Sequence, residues 1–159
     1  LVAMVDPIAI RVLKRLSGLY FFMLAFCAGA LIYLPNHNQY THAFPPAIAV
    51  ACGVASLAAG ATGWLLGASY ASKRGRIFSA IWIPAVVYVV AIGVAATAYY
   101  VLLPVFLPHF RKTFLVFPAF PQELVVYVLS YASFSFHVWF VGAPISSYAL
   151  HSKAVAYGN

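Results

Sequence analysis

Residues 66–83, LGASYASKRGRIFSAIWI, decide how this chain folds, because Lys73, Arg74 and Arg76 form its one dense run of charge and apolar sequence flanks it on both sides. Residues 46–70 precede the run and residues 77–103 follow it. Each stretch exceeds the roughly 20 residues that a helix rising about 1.5 Å per residue needs to cross a ~30 Å hydrocarbon core. The run therefore reads as the reversal between two membrane-spanning helices, with Gly75 allowing a tight turn.

Two further spans lie outward from this pair. Residues 16–34 form the first, and Pro35 closes it. Before it, Asp6 can cap a helix that Pro7 starts, and Arg11, Lys14 and Arg15 recur at helical spacing opposite Ile8, Val12, Leu13 and Leu16. Residues 7–15 are thus expected to run along the membrane interface as an amphipathic turn before the chain enters the bilayer. The polar segment 36–42 follows, and Pro45-Pro46 restarts the chain. Residues 122–149 form the last span, longer than a perpendicular crossing requires, so it tilts or protrudes. The expected fold is an all-α integral membrane protein, a single bundle over residues 1–159 with four transmembrane helices.

Composition agrees. The chain is 65% hydrophobic and 7% charged, with a mean hydropathy of +0.95. Soluble domains carry roughly 25% charged residues, and no length is left over here for one. Nine Lys and Arg face only Asp6 and Glu123, giving a formal charge of +7. In a soluble protein that excess suggests nucleic acid. Here no groove-binding motif accompanies it, and the basic residues gather at span ends beside lipid headgroups.

The loop charges fix an expected orientation. With four spans, Arg11, Lys14, Arg15, Lys73, Arg74, Arg76 and Lys153 fall on the side of the termini, against Arg111 and Lys112 on the other. The positive-inside rule places both termini in the cytoplasm or its topological equivalent. Arg11, Lys14, Arg15, Lys73, Arg74 and Arg76 are the expected lipid-headgroup residues, with anionic phospholipids such as cardiolipin as partners. Between the third and fourth spans, residues 108–117 read as a short interfacial helix with Phe110, Phe114 and Phe117 on one face.

Within the second span, Ala49, Gly53, Ser56, Gly60, Gly63 and Gly67 fall within about 80° of arc on a helix of about 3.6 residues per turn. Such a strip of small side chains lets helices approach closely, and Gly63 to Gly67 is a literal GxxxG. Gly53, Ser56, Gly60, Gly63 and Gly67 are the expected packing residues.

His137 is the candidate for chemistry, because an ionisable group near the middle of a span invites a functional hypothesis. It is a potential axial ligand for a haem or a chlorophyll magnesium, with Ser133 leaving room and Phe136 and Trp139 flanking the ring. The structural alternative is a neutral imidazole bonded to a neighbouring helix. A bis-histidine haem would need a second intramembrane histidine.

His37, His42 and His109 share the less basic side, but the step from His37 to His42 matches no helical ligand pair, and no metal is expected. Cys27 and Cys52 each lie roughly 10 Å below one surface by the helical rise, which would make them neighbours. No Ser-His-acid, HExxH, P-loop or paired-carboxylate pattern is present, and two acidic residues leave acid–base catalysis little to use.

A non-catalytic accessory subunit of an energy-transducing complex, respiratory or ATP-synthase, is therefore the leading expectation, with other membrane subunits as partners and no required cofactor. The mitochondrial inner membrane is the favoured location, ahead of bacterial inner or thylakoid membranes. The alternatives are a tetrapyrrole-carrying subunit centred on His137, and a small membrane enzyme or transporter for a lipid-like substrate using Tyr20, Tyr88, Tyr99, Tyr127 and Tyr131.

Overall fold

The structure, a computed structural model, describes residues 7–37, 44–71, 76–106 and 120–156. All of them are helical. Helix α1 spans Pro7–His37, α2 spans Phe44–Leu66 and continues as a 3-10 turn at Gly67–Ala71, α3 spans Arg76–Phe106, and α4 spans Phe120–Ala156. Among the described residues, three helical stretches are long and apolar enough to cross a membrane, Pro7–Leu34, Pro46–Ala71 and Ser79–Leu102. The protein is accordingly a helical bundle of membrane-protein character.

The helices close a ring. α1 packs on α2, α2 on α3, α3 on α4 and α4 on α1, so that α1 and α3 stand across one diagonal and α2 and α4 across the other. Neighbours run antiparallel: rising numbers on α1, Lys14, Phe22 and Gly29, meet falling numbers on α2, Gly67, Gly60 and Cys52. The same holds between α3 and α4, where Ala80 meets Ser147 and Tyr88 meets Ala132.

Several helix ends differ from the sequence expectation. No break separates residues 7–15 from the span beginning at Leu16; α1 is one 31-residue helix. The reason is packing. Leu13 and Ser17 are fully buried, pinned beneath the 3-10 turn at Gly67, so the first turns pack within the bundle as a continuous part of α1 instead of forming a separate segment. Pro35 also fails to end α1, which reaches His37. The third helix extends past Leu103 to Phe106, and the fourth reaches Ala156. Residues 108–117 lie outside the described residues, as do Lys73 and Arg74.

Prolines begin α2, with Pro45 and Pro46 in its first turn, where a missing N–H costs nothing. Small residues set the α1–α2 spacing. A Cβ built on Gly63 would come within 2.7 Å of the Phe21 ring and 2.9 Å of the Ser17 carbonyl oxygen. One on Gly67 would come within 2.8 Å of the Lys14 Cα, and one on Gly60 within 3.1 Å of the Phe22 Cβ. Gly53 lies outside this contact: it is exposed, with nothing within 4 Å of where a Cβ would stand. The helices are still in close contact at this level, but Cys52, one residue earlier and about 100° around α2, is the residue that faces Gly29. Ser56 is buried, its hydroxyl donating to the Cys52 carbonyl at 2.7 Å.

Candidate functional site

The rotational setting of α4 decides where its candidate residues point. Its inner stripe is Tyr131, Ser135, Trp139, Ser146, Ser147 and Leu150, all buried. Trp139 is wedged between two rings, stacked on Phe21 at 6.1 Å between centroids and tilted on Tyr88 at 5.2 Å. Tyr88 donates to the Ala132 carbonyl at 2.9 Å, and Ser135 donates to the Tyr131 carbonyl at 2.6 Å while its oxygen stands 3.4 Å from the Tyr88 hydroxyl. Side chains that bury large area and place hydroxyls on carbonyls lock one face of a helix inward.

A second polar chain closes the lower end of the bundle. Ser147 donates to the Ala80 carbonyl at 3.1 Å. With its single proton so used, it accepts from the Tyr70 hydroxyl, 3.4 Å away. Tyr70 is 1% exposed and packs edge-on against His151, 5.2 Å between rings. Chains of this kind polarise one another and strengthen cooperatively.

The opposite face of α4 is outward. Ser130, Ser133, His137, Phe140, Val141, Pro144 and Tyr148 are all exposed. His137 therefore faces away from its own bundle, beside Phe136, whose ring stacks on Phe140 at 5.5 Å. Trp139 does not flank it as expected: two residues on, and so about 200° around a helix of about 3.6 residues per turn, it points into the core. Ser133 bonds its own helix, donating to the Leu129 carbonyl at 2.8 Å.

Pro144 adds a second polar feature to this face. Lacking an N–H, it leaves the carbonyl of Phe140, one turn back, without its helical donor. The exposed side of α4 thus carries an imidazole and an under-bonded carbonyl within one turn of each other, on a surface that also holds Ser130, Ser133 and Tyr148 among valine, leucine and phenylalanine. Helical period alone places Ser133, His137 and Pro144 on one face, and Pro144 inside a helical stretch is the signal for the freed Phe140 carbonyl.

The other candidates are spread apart. Arg11 and Arg15 are exposed on α1, and Lys14 holds its ammonium 5.0 Å from the centre of the Trp64 ring on α2. Arg76 opens α3. Cys27 is exposed on α1, and Cys52 packs against Gly29; both are free thiols. A cavity of about 30 Å³ lies at the bundle centre, lined by alanines of α1, α2 and α3 with Tyr131, Ser135 and Trp139. Of the tyrosines singled out, Tyr131 alone lines it. Tyr20 is on the surface, and the Tyr127 side chain is outside the described residues.

No protein-family model matches the sequence, and neither a curated protein nor a solved structure shows significant similarity to it.

Proposed function

We propose that the chain is a non-catalytic accessory subunit of a larger membrane assembly, crossing the membrane four times with both termini on the positive-inside side and docking through the outer face of α4. The observation that carries this reading is the outward placement of His137 beside the Phe140 carbonyl that Pro144 deprives of its donor. Polar groups left facing hydrocarbon cost several kcal/mol in the extreme and about 1–3 kcal/mol in proteins. A neighbouring transmembrane helix presenting a hydroxyl or amide would offset that cost at both groups.

The four-span reading is supported by how α4 packs. It is 37 residues long and lies along both α1 and α3, two helices long and apolar enough to cross, and so shares their depth. The excess of Lys and Arg at the ends of α1, α2 and α4 supports the orientation. An energy-transducing membrane, with the mitochondrial inner membrane first and a respiratory or ATP-synthase complex as the assembly, fits nine basic residues against two acidic ones.

The test is photo-crosslinking from a benzoylphenylalanine placed at Phe136 or Phe140 in the native membrane. A crosslink to a larger membrane subunit, lost on His137→Leu, is expected. A chain that leaves the membrane as a free monomer in mild detergent, with no crosslink from either position, overturns the proposal.

One observation favours a second reading. An exposed imidazole flanked by the Phe136–Phe140 pair, with Ser133 one turn away, is reachable by a tetrapyrrole lying between α4 and a partner. An absorption spectrum of the isolated complex that shifts on His137→Leu would select it, and a spectrum without tetrapyrrole bands would dismiss it.

A further inference from the structure

The start of α1 and the outer seam between α1 and α2 form one continuous surface, cationic at its end and apolar below. Arg11 and Arg15 are exposed and one helical turn apart. Lys14 lies between them in sequence, with its ammonium held 5.0 Å over the Trp64 ring of α2. That contact fixes a cation at the level where an amphipathic indole sits, the membrane interface. Gly18 makes the seam shallow here: its Cα stands close enough to α2 that an added Cβ would meet Trp64 Cβ at 3.1 Å.

Below the cations the seam turns wholly apolar. Phe22 packs on Gly60, and its ring stacks on that of Phe26 at 6.2 Å. Phe26 is 53% exposed, and across the seam Leu57 is 65% exposed. Because α1 and α2 run antiparallel and Phe22 meets Gly60, Trp64 and Leu57 lie on the same side of the contact as Arg15 and Phe26. The surface thus offers positive charge, then an indole, then a strip of hydrocarbon along the membrane normal. Among the described residues no acidic side chain neutralises it.

We propose that this surface binds one anionic phospholipid, with its phosphate held by Arg11 and Arg15 beside Lys14 and an acyl chain laid along the α1–α2 seam over Phe22, Phe26 and Leu57. The order of chemistry along the seam matches such a molecule in sign, sequence and direction. Arginine supplies the planar donors that phosphate oxygens accept in pairs. Lys14, already engaged on Trp64, keeps the headgroup at the interface rather than extending into solvent. The site rests on the membrane placement and not on the docking role of α4, so the two fail independently.

The experiment uses the full chain in a non-ionic detergent, titrated with phosphatidylglycerol, phosphatidylcholine or inorganic phosphate, with bound species counted by native mass spectrometry. Phosphatidylglycerol should bind roughly tenfold or more tightly than phosphatidylcholine, and Arg11→Gln with Arg15→Gln should abolish that margin. Both arginines are exposed, so the pair can be changed without opening the core; Arg11→Lys with Arg15→Lys should keep part of the preference. Trp64→Leu should weaken binding severalfold, and Lys153→Gln, at the same end of the bundle on α4, should leave it unchanged. Equal binding of the two lipids overturns the proposal. So does a Lys153→Gln loss as large as that of the arginine pair, which would mean diffuse charge. Full displacement of phosphatidylglycerol by inorganic phosphate also overturns it, because the seam would then contribute nothing.

Discussion

Ser147 answers Pro84 across the α3–α4 contact: its hydroxyl donates at 3.1 Å to the Ala80 carbonyl, the acceptor that Pro84, having no N–H, leaves without a helical donor. Proline inside a membrane helix is tolerated where a neighbour re-satisfies the freed backbone group, and here a serine of the next helix does so. The helix α3 continues through Pro84 to Phe106 without interruption. Local chemistry on one helix has fixed which residue the facing helix presents at that level.

Replacing Ser147 by Ala should lower stability in detergent by about 1 kcal/mol, the usual scale for a hydrogen bond between membrane helices. In a Pro84→Ala background the same change should cost markedly less, since the introduced alanine restores the backbone N–H that the Ala80 carbonyl otherwise lacks. Thermal unfolding of the parent, the two single variants and the double variant gives the coupling. Additive effects would show that the two residues act separately.

Gly63→Ala should destabilise by about 1–3 kcal/mol, because the new Cβ meets both the Phe21 ring and the Ser17 backbone, and backbone cannot step aside. Gly53→Ala, with open space around it, should be neutral or stabilising by up to about 1 kcal/mol through helix propensity. Unfolding midpoints of the pair separate close contact from mere smallness within a single helix. Guided by composition alone, one would expect the two to behave alike.

Ser17 is fully buried, and among the described residues its hydroxyl has no hydrogen-bond partner. Ser17→Ala keeps nearly the same volume and removes an unsatisfied polar atom. Stability should stay level or rise by about 1 kcal/mol, measured by the unfolding midpoint. A loss of similar size would reveal a partner for the hydroxyl in the membrane.

Trp139 and His137 stand two residues apart on opposite faces of α4, so their replacements should separate cleanly. Trp139→Ala should cost about 3–5 kcal/mol, since it empties the space between Phe21 and Tyr88. His137→Leu should leave unfolding of the isolated chain unchanged or slightly delayed, while reducing what co-isolates with it.

Much of the α1–α2 seam was legible in sequence. The small residues of α2 repeat on one arc, and Gly60, Gly63 and Gly67 all lie against α1. What the repeat could not supply was how the contact line shifts around α2 along its length: at the level of Gly29 it runs through Cys52, and so Gly53 was included though it faces outward. The candidate site on α4 was half legible. Ser133, His137 and Pro144 share a face by helical period alone, but α4 has aromatic residues all round, so its pattern does not say which face is buried. Trp139 decides it, through Phe21 and Tyr88 on other helices, and such contacts have no signature in local spacing. The continuous course of α1 was hidden for a similar reason: three cations suggested an interface, while burial of Leu13 and Ser17 beneath Gly67 required knowing where α2 ends.

The space left at the centre of the bundle, about 30 Å³ with alanines from three helices in its wall, limits what the core can hold. A cavity needs about 10–15 Å³ to admit one water, so this one has room for about two or three. Trp139, stacked on Phe21, forms part of its wall. Among the described residues the core thus offers a small, mostly apolar space, with room for a few waters and not for a ligand of lipid or cofactor size.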